Sequence, residues 1–259
     1  MDITLYHGEP NGPSLTVLAA LNETNVSANL VAIDLTMAER HLSTTPSSVE
    51  ADLSVEGEGP ILVVDGEAMA DSVFIARFLD TIGTGTSLTF DDSLKQWEMM
   101  NFCRYTIERV APAAAFLGTK AYLNNTLSAL SDEAFEKIIL PIRSQDLKAR
   151  WVDIRNNVFS DEQTTDSQKK IAAAVEKIEG QLADKDWLME AFSIADLEAY
   201  SWLAGMVELV PSAFENAPKT QAWLARVNAR PSVQAALAVA KVDQPQNIWA
   251  PGPEINRWG

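Results

Sequence analysis

The chain has 259 residues, 47% hydrophobic, and a formal net charge of −16, enough length for one large core or two modest ones. Phosphate repels so acidic a surface, so neither nucleic acid nor an anionic membrane is expected as a partner. One cysteine, Cys103, excludes an internal disulfide framework, and two histidines, His7 and His41, speak against a metal centre. No apolar run approaches the roughly 20 residues of a membrane span, and the start of the chain has no signal pattern, so a cytoplasmic protein is expected.

Residues 3–6 alternate as a half-buried strand, and His7 to Pro13 is a loop rich in glycine and proline. Pro13 suits a first helical turn, with Leu15, Leu18 and Ala19 following at helical spacing. Asn22 to Asn29 breaks that helix, and Leu30–Ile33 reads as a strand parallel to the first. Residues 36–58 read as a long loop with at most one helical turn. Gly59-Pro60 then opens a hairpin over 60–69 turning at Asp65-Gly66, and a helix begins at Asp71-Ser72, with Ile75, Phe78, Leu79 and Ile82 on one face. This β-α-β, loop, β-β-α order predicts a thioredoxin-like domain over 1–82.

Residues 83–89 read as a linker. Beyond it, helices are expected at Trp97–Val110, Asp132–Leu140, Asp146–Phe159, Gln168–Ala183, Ile194–Val207 and Thr220–Val227, the fifth opened by a Ser193…Asp196 capping box. Arg230-Pro231-Ser232 ends one helix and starts the next. The fold class is therefore α/β plus all-α: a helical domain over 90–243 follows the thioredoxin-like one, and a tail over 244–259 holds prolines, Trp249 and Trp258.

This two-domain order, with the Gly59-Pro60 hairpin and Asp71-Ser72, resembles the soluble glutathione transferases. The stretches Leu5 to Leu15, Ser131 to Glu136, Leu147 to Trp151 with Arg155-Asn156-Asn157, and Ala222 to Pro231 are similar to the bacterial β-aryl etherases of that superfamily. The resemblance implies glutathione as co-substrate and cleavage of β-O-4 ethers of lignin-derived aromatics by thiolate attack beside a ketone, with a phenol leaving. It also implies a cis-proline at Pro60, backbone pairing of glutathione with Gly59 and Pro60, a γ-glutamyl site at Asp71 and Ser72, and His41 in the loop that meets the glycyl carboxylate.

A thiol with pKa near ~8.5 needs a shift of roughly 2 to 2.5 units, about 3 kcal/mol, to be mostly thiolate at neutral pH. One or two charge-assisted hydrogen bonds and a helix N-terminus are of that size. Ser14 and Asn11, with backbone N–H groups of the first turn, are the candidate donors. Ser14, Asp71 and Ser72 also read as helix-start residues, Cys103 as core, and Trp151 and Phe116 as core or aryl-pocket residues.

Departures from the family fall at this site. Pro13 replaces an asparagine and has neither side-chain amide nor N–H. Ser54 to Pro60 lacks the usual approach to the proline, and Glu56 and Glu58 add negative charge there, each costing a couple of kcal/mol at most. These changes also fit a degenerate subunit that supports a catalytic partner in a heterodimer. A homodimeric etherase, and a transferase acting on a halide or epoxide, are the other readings.

Overall fold

The computed structural model describes residues 1–46 and 59–251. Glu56, Glu58 and Trp258 lie outside them.

Four strands, β1 (Ile3–His7), β2 (Asn29–Ala32), β3 (Ile61–Val64) and β4 (Glu67–Met69), form one sheet of order β2-β1-β3-β4. β1 runs parallel to β2 and antiparallel to β3, with Leu5 opposite both Leu30 and Leu62. Strand alternation buries Ile3, Leu5 and His7 on one face, so His7 closes β1 rather than opening the loop after it. α1 (Gly12–Glu23) connects the parallel pair. It is capped by Asn11, whose Oδ1 accepts from Gly12 N–H at 3.0 Å, and carries Pro13 in its first turn. The expected hairpin turns at Asp65-Gly66, both at positive φ, into α2 (Ser72–Ile82). There is no cis peptide bond among the described residues, so the bond before Pro60 is trans, contrary to what the family pattern implies.

Thr81 to Ser87 is pinned rather than loose. Thr84 N–H and Gly85 N–H both donate to Thr24 O at 3.0 Å, and Thr86 N–H donates to Glu23 O at 2.8 Å. A Cβ at Gly85 would overlap the Glu23 carbonyl, so glycine here serves close approach of two backbones.

The rest is helical. α3 (Ser93–Tyr105), α4 (Ala111–Gly118) and α5 (Asn124–Ser128) follow one another through π-helical turns at Thr106–Val110 and Thr119–Leu123. The expected helix end at Val110 is instead the first of these turns. Pro112 has no N–H for the carbonyl one turn back, and the wider turn lies directly upstream of it. α6 (Asp132–Ile139) and α7 (Gln145–Arg155) close a satellite core around Phe135, Leu147 and Trp151. Arg155 lies over the Phe135 ring at 4.7 Å and bonds Asp132 at 2.7 Å. Trp151 and Phe116 are thus packing residues, the latter edge-on to Phe159. Cys103 is buried in the main core.

α8 (Asp161–Gln181), α9 (Ile194–Leu203), α10 (Met206–Leu209), α11 (Pro211–Phe214), α12 (Pro218–Asn228) and α13 (Pro231–Leu237) complete the domain. Every residue of α9 is buried, and its capping box forms as the sequence predicts. Asp196 accepts from Leu188 N–H, Ser193 N–H and Trp223 Nε1–H at 2.9, 3.1 and 2.9 Å. Between the domains α1 packs on α9 and α13. There Arg230 Nε and Nη2 donate to the buried Glu23 carboxylate at 2.5 and 2.9 Å, and Ser232 Oγ donates at 2.6 Å.

Candidate active site

A cavity of about 900 Å³ opens where the two domains meet. Most of its polar lining is on the thioredoxin-like side, where His7, Glu9, Asn11, Asp34, Arg40, Asp71 and Ser72 stand among the apolar Ile33, Leu35 and Phe74. The helical side is largely apolar and aromatic, with Ile107, Pro112, Trp202, Val239, Ile248 and Trp249, but also carries Glu108, Glu198 and Lys241. Such a cleft, largely apolar with convergent polar groups, is the usual form of a small-molecule site.

The tail supplies part of that second wall. Asn11 Nδ2 donates to the carbonyls of Ile248 and Gln246 at 3.1 and 3.4 Å, and the N–H of Lys241 donates to Glu9 Oε2 at 3.0 Å. Trp249 is 3% exposed, with its ring 5.9 Å from that of Trp202. It is seated against Gly118, where a Cβ would overlap the indole. Residues 248–251 therefore line the chain's own cavity.

The sequence-predicted site residues divide into groups. Asn11, Gly59, Asp71 and Ser72 come together in the lining, with Pro60 buried directly behind Gly59. The Asn11 amide is spent on the tail and on capping α1. Asp71, at φ 72°, caps α2 by accepting from Val73 N–H at 2.9 Å and Phe74 N–H at 3.1 Å. Burial nevertheless pushes its carboxyl above the usual range. Ser72 Oγ–H donates to Glu198 Oε2 at 2.9 Å.

Ser14 is not in the lining. It is 1% exposed, and its Oγ accepts from Gly8 N–H at 3.0 Å. His41 also lies outside it, in a 3₁₀ turn over Glu39–His41. Burial first, and the adjacent Arg40 charge second, lower its pKa to about 4, so it is neutral at physiological pH. Arg40, one residue earlier, is 7% exposed and is the cationic lining residue of that loop.

Sequence reasoning passed over Glu198. It is 1% exposed, accepts from Trp202 Nε1–H at 2.9 Å as well as from Ser72, and is held above the usual carboxylate range by burial, with the charge of Asp71 adding to it. A second carboxylate, two residues after the capping Asp196 in a largely apolar helical window, was the available signal. Trp202 carried none, because an aromatic residue at helical spacing reads as core, whereas Trp249 stood out in the aromatic, proline-containing tail.

A glutathione transferase fold is what this geometry defines: a mixed four-stranded sheet with helices, an all-α second domain, and a cleft between them. Residues 130–231 match the family model described as glutathione S-transferase, C-terminal domain. Over 247 residues the chain is 28% identical to the protein LigF of Sphingobium sp. strain SYK-6, covering 90% of this chain and 92% of LigF. The crystal structure of the β-etherase LigF from that strain superimposes with a TM-score of 0.82 at 25% identity, covering 92% of this chain and 99% of that one. Glutathione transferase F7 of Populus trichocarpa shares the fold, with a TM-score of 0.65 at 20% identity over 91% and 98% of the two chains. The resemblance read from the motifs, to the β-aryl etherase branch of the glutathione transferases, is thus shared by sequence and fold.

Proposed function

We propose that the cavity binds glutathione on its thioredoxin-like side and an aromatic β-aryl ether ketone on its helical side. The thiolate attacks the carbon beside the ketone, the C–O bond breaks, and a phenol is released. The observation that carries this reading is a single cleft whose polar groups gather on the thioredoxin-like side while Trp202 and Trp249 stand on the helical side. The likeness to LigF, named a β-etherase, supports the reaction class.

Gly59 and Pro60 would offer backbone groups to the cysteinyl part of glutathione, and Asp71 and Ser72 would hold its γ-glutamyl end. On the loop that carries His41, Arg40 would meet the glycyl carboxylate. The sulfur would then sit by the β1–α1 turn, among Gly8, Asn11, Gly12 and Pro13, with Ser14 directly behind them. The enzyme provides thiolate, alignment and a dry pocket, and needs no metal.

A second reading has its own support. Ser72 already donates to Glu198, and the Asp71 carboxylate already caps α2. Both groups meant for the γ-glutamyl end are engaged within the chain, as they would be in a subunit that leaves glutathione to a partner. Phe74, Leu94 and Trp97 are large, exposed and apolar on α2 and α3, which suits pairing as a homodimer or heterodimer. Calorimetric titration of the isolated chain with glutathione separates the readings. Binding followed by turnover of a β-aryl ether ketone supports the enzyme. No heat and no thermal shift support the scaffold. A cytoplasmic location belongs to either reading.

A further inference from the structure

We infer that His7 is the proton carrier of the site: its Nε2 takes the thiol proton of bound glutathione and delivers it to the departing phenolate oxygen. This rests on the function proposed above and names a residue for its proton steps.

His7 Nδ1 lies 2.7 Å from the carbonyl oxygen of Gly8, and a carbonyl only accepts, so Nδ1 carries the hydrogen. In the neutral ring Nε2 is then a bare acceptor. Gly8 is also held through the preceding peptide, because Gly8 N–H donates to Ser14 Oγ at 3.0 Å. Ser14 is thereby a positioning residue: it anchors the residue whose carbonyl sets the ring's tautomer.

The ring is also in the right place. It ends β1, is 4% exposed, and lines the cavity beside the β1–α1 turn. The two side-chain candidates from the sequence are engaged within the chain: Ser14 Oγ accepts from Gly8 N–H and the Asn11 amide holds the tail, while Pro13 between them has no donor. The charged groups that act on His7 are Glu9 in the loop after β1, which favours the imidazolium, and Lys241 just beyond α13, which opposes it. Burial outweighs both and keeps the free ring neutral at physiological pH. A thiolate arriving beside it reverses that preference, as in a cysteine–histidine ion pair.

The step balances. The S–H proton goes to Nε2, and the sulfur electron pair forms the S–C bond at the carbon beside the ketone. The C–O pair leaves on the phenolate oxygen, which takes the proton from Nε2. The products are a glutathione thioether and a phenol, with His7 restored.

His7→Asn tests this in the full chain. The asparagine amide N–H can still bond Gly8 O, so the loop is retained, while the acceptor at Nε2 is gone; circular dichroism and Tm check the fold. The expected result is unchanged glutathione Kd, loss of the ultraviolet thiolate signal on saturation, and a fall of about 10²-fold in kcat/KM for a β-aryl ether ketone. Nitrogen-15 NMR of the wild-type ring should show Nδ1 protonated and Nε2 bare, turning to imidazolium when glutathione binds. The wild-type acid limb of kcat/KM should lie below the ordinary histidine range and disappear in the variant. Equal thiolate formation and an unchanged pH profile in His7→Asn overturn the assignment of His7 alone. Failure of the wild type to bind glutathione or turn over the ether overturns the function beneath it as well.

Discussion

Replacing Arg230 by methionine breaks the joint between the two domains, together with the guanidinium's stacking on Phe192 at 3.7 Å. The pair it breaks is anchored on a carboxylate whose side chain is only 6% exposed, with Arg230 at 22%. Removing one partner of a buried pair costs about 3–5 kcal/mol, because the other charge is left without compensation. Water reaches Arg230 more than Glu23, and Ser232 still donates in the variant, so the low end applies: about 3 kcal/mol near pH 7. For a chain of this size that lowers Tm by about 6–12 °C. The pH dependence has a definite sign. Burial alone would raise the Glu23 pKa, but hydrogen bonds from Arg230 and Ser232 outweigh it, and the net shift is downward. Such a carboxylate stabilises the fold fully above its unfolded pKa and ceases to as the pH falls through its depressed folded value. The Arg230→Met penalty should therefore shrink as urea denaturation is moved from about pH 7 to about pH 4. Adding Glu23→Gln should recover much of it in a double-mutant cycle. A penalty under about 1 kcal/mol, the range of exposed pairs, would refute the reasoning, as would one independent of pH.

Gly118→Ala should push Trp249 off its seat. Proteolysis within 241–251 should quicken and KM for the aryl ether rise, with glutathione affinity retained; an unchanged digestion pattern would mean that the tail does not depend on this contact. Asp196→Ala strands three buried donors at about 1–3 kcal/mol each and should cost at least about 3 kcal/mol, whereas a loss below 1 kcal/mol would show that water replaces the carboxylate. His41 should titrate by proton NMR near 4, its value in the fold. Because that pKa lies below the unfolded one, the stability tied to the neutral ring is present above about pH 6.5 and is lost as the pH falls toward the folded value. A midpoint near 6.5 would place the ring in solvent.

Local rules were enough for much of this protein. Period-2 and period-3.6 patterns, the Asp65-Gly66 turn, Pro13 in a first turn and the Ser193…Asp196 box are short-range signals. They yield the succession of elements in the first domain, the α-helical second half and the buried role of Cys103 without any distant contact. They also put Asn11, Gly59, Asp71 and Ser72 near one site. What they could not settle is where a side chain spends its hydrogen bonds, since the partners are far along the chain. Asn11 meets Ile248, Ser72 meets Glu198, and Glu23 meets Arg230 only after the two domains close. The helix through Pro112 continues because tertiary packing tolerates a π turn that propensity counts as an end. His7 looked like one polar residue of a loop. Burial and a single carbonyl, both products of the folded chain, make it a neutral base with a defined free nitrogen. Sequence determines which chemical groups a site can draw upon; only the closed tertiary structure decides which remain available to a ligand, because each buried donor or acceptor must first be satisfied within the fold.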